Sequence, residues 1–265
     1  MRTGSEIREK YVRNYPSAFC PGCGDGMVLN ALSRAVENKN IDKDNIVAVS
    51  GIGCSAWIPS PYWKVDTLHT THGRAIPHAL GVKLANKDLD VIVVSGDGDC
   101  AGIGGNHLIH AARNNIDLNV LMINNGLYAM TGGQAAPTTD YGEKTLTTPY
   151  GNPGSGMQVA EVVKAAGAAH VARWTTYHMR DLIKEVEYAL DKKGMSFIEV
   201  FSQCPTRTGK KMGMSGVEML EWYKDNTSKD ENSDKIYVGR IRDIDRPELC
   251  QEIYRQIKEL GGEPR

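Results

Sequence analysis

The chain has 265 residues, with 31 Lys and Arg against 32 Asp and Glu, a net charge of -1 and 41% hydrophobic residues. That length can bury a full core without a second domain, and an evenly spread, nearly neutral charge with pI near 6.7 argues against a nucleic-acid or membrane-surface partner. The charged N-terminus lacks the apolar stretch of a secretion signal, and no run approaches the roughly 18 apolar residues of a membrane span, so a cytoplasmic protein is expected.

In chain order, a helix is predicted over residues 27–36, with Asp25 placed to cap it. Strand-like apolar runs follow at residues 45–50, 91–95, 119–123, 170–174 and 196–201, with helical patterns between most of them. One of those helices is expected near residues 106–114. Another spans residues 179–193, where Leu182, Ile183, Val186, Ala189 and Leu190 share a face and Gly194 ends it. Residues 225–235 read as a polar linker to a terminal helix over 247–260. Between residues 128 and 157 the chain is rich in Gly, Thr and Pro with no apolar period; such a segment either covers a site or a partner, or is a mobile surface loop. The alternation implies an α/β fold: a doubly wound, mostly parallel sheet with helices on both faces.

Ligands in such sheets bind outside the carboxyl ends of the strands. The runs are followed there by Gly51-Ile52-Gly53-Cys54, Gly96-Asp97-Gly98-Asp99, Asn124-Asn125, Thr175-Thr176 and Gln203-Cys204-Pro205. Asp97 and Asn125 should sit at neighbouring strand ends, a geometry that suits a magnesium diphosphate. Mg²⁺ takes few protein oxygens and fills its octahedron with water and phosphate. Asp97 offers a charged oxygen, the Asn125 amide a neutral one, and the chain at Leu127 a backbone carbonyl, while Gly96 and Gly98 keep Cβ atoms away from phosphate. Two ordinary turns are the competing reading, but the paired spacing within one βαβ unit resembles the thiamine diphosphate signature.

The sequence contains six cysteines, which in a reducing compartment are ligands, catalytic groups or buried apolar residues rather than disulfides. Cys20, Cys23, Cys54 and Cys204 could hold a 4Fe-4S cluster, a structural zinc, or act as a redox dithiol; spacing leaves all three open. Their dispersal over distant strand ends, beside a thiamine site, favours 4Fe-4S. Cys100 and Cys250 are assigned to packing, and His107 and His110, three apart on a helix, are assigned to structure.

Together these motifs resemble one family, the β subunit of 2-oxoacid:ferredoxin oxidoreductases. The resemblance runs through Phe19-Cys20-Pro21-Gly22-Cys23-Gly24, Gly51-Ile52-Gly53-Cys54-Ser55, His69-Thr70-Thr71-His72-Gly73-Arg74-Ala75, Gly96-Asp97-Gly98-Asp99, Gly104-Gly105-Asn106-His107, Asn124-Asn125 and Thr131-Gly132-Gly133-Gln134. It continues into Arg173-Trp174-Thr175-Thr176 and Ser202-Gln203-Cys204-Pro205-Thr206, covering roughly the first 210 residues. Within the family the chain looks most like the 2-oxoglutarate branch, with Met130 where pyruvate enzymes tend to have Asn. Asp25 stands where relatives often carry His, and Cys100 where they carry a small or aliphatic residue.

The resemblance implies that residues 1–205 form the diphosphate-binding half of a thiamine diphosphate fold with the 4Fe-4S ligands, and that 206–265 are a C-terminal extension rather than an independent domain. It implies that Cys20, Cys23, Cys54 and Cys204 ligate 4Fe-4S, and that Asp97, Asn125 and the Leu127 carbonyl hold Mg²⁺. It further implies that Ile52, Gly53, Cys54, Ser55, Thr71, His72, Gly73, Arg74, Gly98, Asp99, Ala129, Met130, Thr131, Gly132, Gly133 and Gln134 line thiamine diphosphate. His72 and Arg74 are the catalytic candidates, since imidazole and guanidinium groups bind carboxylates or steer protons. The implied reaction is reversible oxidative decarboxylation of 2-oxoglutarate with coenzyme A to succinyl-CoA and CO₂, with ferredoxin, or a ferredoxin-like subunit, as electron acceptor. An α subunit carrying the pyrimidine-binding domain and its activating glutamate is the implied partner; no nucleic acid or membrane is. The alternatives are pyruvate or a broader range of 2-oxoacids as substrate, a non-redox thiamine-dependent decarboxylase subunit, and a zinc-stabilised interaction scaffold.

Overall fold

The structure, a computed structural model, describes residues 2–262. The N-terminal half contains α1 (Gly4–Tyr11), α2 (Asp25–Asn38), β1 (Ile46–Ser50), β2 (Asp66–His69), α3 (Ala75–Ala85), β3 (Asp90–Gly96), α4 (Gly105–Asn114) and β4 (Asn119–Asn124). A small hairpin follows, β5 (Leu127–Tyr128) and β6 (Gln134–Ala135), then α5 (Val159–Ala166), β7 (His170–Thr175), α6 (Met179–Asp191) and β8 (Ser196–Phe201). The chain ends with α7 (Lys210–Met212), α8 (Gly216–Asn226), β9 (Thr227–Ser228), β10 (Ile236–Tyr237), β11 (Gly239–Asp243) and α9 (Leu249–Glu259).

Seven strands form one sheet in the order β11-β7-β8-β4-β3-β1-β2, parallel except for β11, which runs antiparallel to β7. The five strands legible as apolar runs are the inner ones, because helices cover both of their faces. Ile92, Val94, Leu121, Ile123, Ile198 and Val200 pack with α1, α2 and α6. Their sequence neighbours Val91, Val93, Val120, Met122 and Phe197 point the other way, into a second core with α3, α4, α5 and α9. Each such side chain contributes about 2 kcal/mol on burial.

Several local expectations are corrected. The second helix starts at Asp25, with Gly24 as its N-cap; Asp25 is the first helical residue, buried, and makes no capping bond. Residues 225–235 do not form a plain linker: they begin with the last turn of α8 and with β9, which pairs with β10. The chain then adds β11 to the main sheet. Residues 128–157 contain part of the hairpin β5–β6 and otherwise only turns and bends.

Asn115 closes the edge opposite the strand exits. It is fully buried in a left-handed conformation at the end of α4. Its Oδ1 accepts from the amides of Ala169 and Met195, just before β7 and β8, and its Nδ2 donates to the carbonyls of Arg246 and Pro247 before α9. Asn115→Ala would leave the two buried amides of Ala169 and Met195 unpaired, each costing about 1–3 kcal/mol, and would free the less buried carbonyls of Arg246 and Pro247. The expected outcome is a loss on the order of 3 kcal/mol or more in urea denaturation.

Candidate functional site

Three strand exits meet at one carboxylate. Asp99, buried just beyond β3, accepts from the Gly73 amide (2.7 Å) and the Ile52 amide (3.2 Å) on Oδ1, and from the Ser95 hydroxyl (2.5 Å) on Oδ2. His72 Nδ1 also lies 2.6 Å from Oδ1, although it is not aligned for a hydrogen bond. The approach is close enough that a Cβ on Gly51 would overlap the Asp99 carboxylate, so glycine is required there.

Asp97, two residues earlier, has a different environment. It is buried, and burial pushes its carboxyl up to about 6, opposed by the Thr138 hydroxyl and by the backbone amides of Gly98 and Asn125. Thr138 Oγ1 donates to Asp97 Oδ2 from the long Gly- and Thr-rich segment, and the next residue, Thr139, donates to the Gly126 carbonyl (2.6 Å). That segment therefore closes over the turn after β4. In the turn itself the Leu127 amide donates to Asn125 Oδ1 (3.0 Å) and the Gly126 amide to Asn124 Oδ1 (3.1 Å).

A cavity of about 80 Å³ lies between these elements, lined by Ile52, Gly53, Cys54, Ser55 and His72, then by residues 96–99, Asn125, and residues 127–131. Thr71, Gly73, Arg74, Gly132, Gly133 and Gln134 are not in its wall. Gly73 instead serves Asp99. Arg74 is exposed and turned toward His107 Nε2 on α4. Gln134 exchanges hydrogen bonds with Thr131 inside the hairpin turn. A larger cavity of about 380 Å³ lies behind the turn and shares only Asn125 with the small one; its wall includes Asn124, Arg173, Glu199, Met219 and Trp222.

Four further participants were assigned no role from the sequence. Besides Thr138, Tyr128 packs its ring against Gly98, where a Cβ would overlap it, and donates its hydroxyl to the Gly98 carbonyl (3.0 Å). Arg207 donates to the Ala129 carbonyl (3.2 Å), joining the Cys204 loop to the hairpin. Glu199, mid-strand in β8, is buried and bonded to Asn124 (2.9 Å). A threonine in an irregular loop, a tyrosine in a two-residue strand, an arginine beyond a strand and one acid in a strand give no periodic or spacing cue.

The thiols gather on the adjoining edge. Gln203 bridges to the Cys20–Cys23 turn, its Nε2 donating to the Gly22 carbonyl (3.0 Å) and its own carbonyl accepting from the Gly24 amide (3.2 Å). Burial pushes Cys54 up to about 12, with Asp25, Cys204 and Cys20 adding to the effect. Burial likewise raises Cys23, with Asp25, Cys204 and Cys54 contributing, and raises Cys204, with Asp25 and Cys20 contributing. The four thiols are thus near enough to affect one another. Among the described residues, however, no three His, Cys, Asp or Glu side chains converge closely enough for a single metal ion. Asp25 stands beside them with Oδ2 unpartnered, its own carboxyl pushed up to about 6 by burial. Cys100 and Cys250 are buried in the second core.

The family described as "Thiamine pyrophosphate enzyme, C-terminal TPP binding domain" matches residues 51–200. The 2-oxoglutarate synthase subunit KorB of Methanocaldococcus jannaschii is 46% identical over 266 residues, 96% of this chain and 98% of the relative. The protein of the same name from Methanothermobacter marburgensis is 49% identical over 96% of this chain and 93% of its own length. A solved 2-oxoglutarate:ferredoxin oxidoreductase from Magnetococcus marinus, with 2-oxoglutarate, coenzyme A and succinyl-CoA bound, superposes with a TM-score of 0.88. It is 32% identical over 97% of this chain and 91% of that one.

Asp97 sets a pH dependence. Its folded pKa of about 6 lies above the ordinary 3.8, so between those values the folded chain holds a proton that the unfolded chain has released. Stability contributed by Asp97 is therefore lost as pH rises through that window. Against metal-free Asp97→Asn protein, the wild type is expected to lose on the order of 3 kcal/mol between pH 4 and 6.5, measured as the difference between paired urea titrations.

Proposed function

The chain belongs to the β-subunit family of the thiamine-dependent 2-oxoacid:ferredoxin oxidoreductases, and from that premise we propose that it serves a 2-oxoglutarate:ferredoxin oxidoreductase. That enzyme converts 2-oxoglutarate and coenzyme A to succinyl-CoA and CO₂, reversibly, and passes the electrons to ferredoxin. The observation that carries the reading is the joint placement, on one sheet edge, of the Asp97 and Asn125 oxygens and the four thiols. The branch assignment rests on the full-length likeness to proteins named 2-oxoglutarate synthase subunits; the decarboxylase, pyruvate and zinc-scaffold alternatives are not favoured by it.

The residues fit the groups this activity requires. Asp97 is a buried carboxylate whose ionisation is disfavoured until a cation stands beside it, and the oxygens of Asn125 and the Leu127 carbonyl complete a hard donor set for Mg²⁺. The thiols of Cys23, Cys54 and Cys204, raised chiefly by desolvation, become good ligands only to a cationic centre, with Cys20 beside them. Their dispersal, one Cys-x-x-Cys pair and two lone cysteines on distant strand ends, favours a 4Fe-4S cluster over one zinc ion. Thiamine diphosphate, when bound, supplies a carbanion for attack on the 2-oxo carbon and an electron sink for decarboxylation.

The protein's part is binding and orientation. Ile52 to Ser55, Gly98, Asp99 and Ala129 to Thr131 wall the cavity that would receive the cofactor. Gly73 fixes the wall through Asp99, and Gly132, Gly133 and Gln134 shape the hairpin turn. His72, with one nitrogen held near the Asp99 carboxylate, can hold or deliver a proton at the cavity mouth. Thr71 and Arg74 lie outside the wall, both exposed, with Arg74 turned to His107. Ligand cavities usually run to about 300–1,000 Å³, so 80 Å³ has room for only part of the cofactor. An α subunit carrying the pyrimidine-binding domain and its activating glutamate would supply the rest. Exposed Ile52 and Met130 in that wall, and Leu146 against the hairpin turn, suit such a contact. Residues 1–205 form the proposed cofactor-binding unit, with 206–265 an extension packed on it. Among the described residues no helix is long and apolar enough to cross a membrane.

The complex, co-expressed and purified without oxygen, is expected to contain a full cluster's iron and sulfide and to reduce a low-potential acceptor only with both 2-oxoglutarate and coenzyme A. Asp97→Asn should lower that rate by more than about 100-fold while retaining iron; Cys204→Ser should lose iron. Full iron with no 2-oxoglutarate dependence would refute the branch assignment, and full activity without iron would refute the redox assignment.

A further inference from the structure

Buried charge in a parallel strand needs a reason, since these strands are otherwise apolar on both faces. Glu199 in β8 is 1% exposed and Arg173 in β7 is 7% exposed. They are register partners in adjacent parallel strands, and Glu199 is likewise the partner of Met122 in β4. Arg173, Glu199 and Asn124, two residues beyond Met122, therefore share one face of the sheet. Arg173 Nε donates to Glu199 Oε2 (2.8 Å), and Asn124 Nδ2 donates to Glu199 Oε1 (2.9 Å).

A buried ion pair gains little over apolar residues of the same shape, but it restricts geometry. A carboxylate only accepts, so Glu199 forces the donor end of the Asn124 amide toward itself and leaves Asn124 Oδ1 for the Gly126 amide. That bond shapes the turn in which Gly126 has φ +73° and the Leu127 amide reaches Asn125 Oδ1. Behind the turn lies the 380 Å³ cavity, walled by these same side chains, so packing does not support the turn from that side.

We propose that Glu199, oriented by Arg173, is a positioning residue for the Asn124-Asn125 turn and so sets the affinity of the Mg²⁺–thiamine diphosphate end of the site; this rests on the assignment of Asp97 and Asn125 to Mg²⁺. The pair holds a metal-side amide in place without touching metal or cofactor.

The test uses the purified heteromeric complex stripped of divalent ions and titrated with Mg²⁺ in the presence of thiamine diphosphate, binding being followed calorimetrically. Three variants are compared: Arg173→Met with Glu199→Met, which leaves no unpaired buried charge; Glu199→Gln, whose amide oxygen can still accept from Asn124; and Asp97→Asn. The double variant is expected to raise the Mg²⁺ Kd about tenfold or more, with kcat recovering to within about twofold at saturating Mg²⁺, and Glu199→Gln should fall closer to wild type. A double variant with unchanged Kd, whatever its urea midpoint, while Asp97→Asn loses binding, overturns the positioning role alone. Unchanged Kd in Asp97→Asn as well overturns the Mg²⁺ assignment and this proposal with it.

Discussion

The Asp99 carboxylate accepts from the amides of Ile52 and Gly73 and from the Ser95 hydroxyl, so a single buried anion joins the exits of β1, β2 and β3. Hydrogen bonds to a charged acceptor contribute about 1.5–3 kcal/mol each, and they act together with the Thr70 bonds to the Ser50 carbonyl that also join the first two exits. The consequence is a division of roles within one turn. Asp99 has its oxygens committed to protein donors and holds shape. Asp97, two residues away, keeps a disfavoured charge that a bound cation would satisfy. Glycine at position 51 makes room for the Asp99 carboxylate, which a Cβ there would overlap.

How much of this was legible in the sequence follows from what covers each element. β3, β4, β7 and β8 stood out because burial on both faces demands apolar runs. β2 (Asp-Thr-Leu-His) and β11 (Gly-Arg-Ile-Arg-Asp) are edge strands, half exposed and polar, and carry no such pattern. Asp25 looked like a cap because capping depends on residue type and place; the structure buries it beside thiols, a relation set by β8 arriving from 177 residues away. The glycine and asparagine motifs were readable because close approach and tight turns restrict residue choice. Thr138, Tyr128, Arg207 and Glu199 were not, since their roles come from loop path and strand register. Arg74 shows the converse: its motif is plain, but its side chain turns to His107 and away from the cavity.

The thiol edge and the small cavity are mechanically one unit. Cys54 lines the cavity and is raised by burial, with Asp25, Cys204 and Cys20 adding to the effect. Ile52, two residues before it, is tied to Asp99. Arg207, three residues past Cys204, is tied to the hairpin through Ala129. A shift of either loop would move both the thiols and the wall facing them. Under the proposed function, that coupling would let folded backbone rather than mobile side chains set the separation of the thiols and the cavity.

A buried carboxylate is an ambivalent component. Its desolvation weakens the metal-free fold at neutral pH, and the same desolvation strengthens its attraction for a divalent ion, because the interaction is no longer screened by water. Cys23, Cys54 and Cys204 repeat the pattern with softer ligands: desolvation first, and neighbouring negative charge second, disfavour their thiolates until a cationic centre reverses the balance. Both sites lie on the carboxyl edge, where the sheet's own hydrogen bonds end and loops can be shaped without disturbing the core. Stability is concentrated in the inner strands and at Asn115 on the opposite edge, so the unfavourable charges sit where their cost is borne by a fold that does not depend on them.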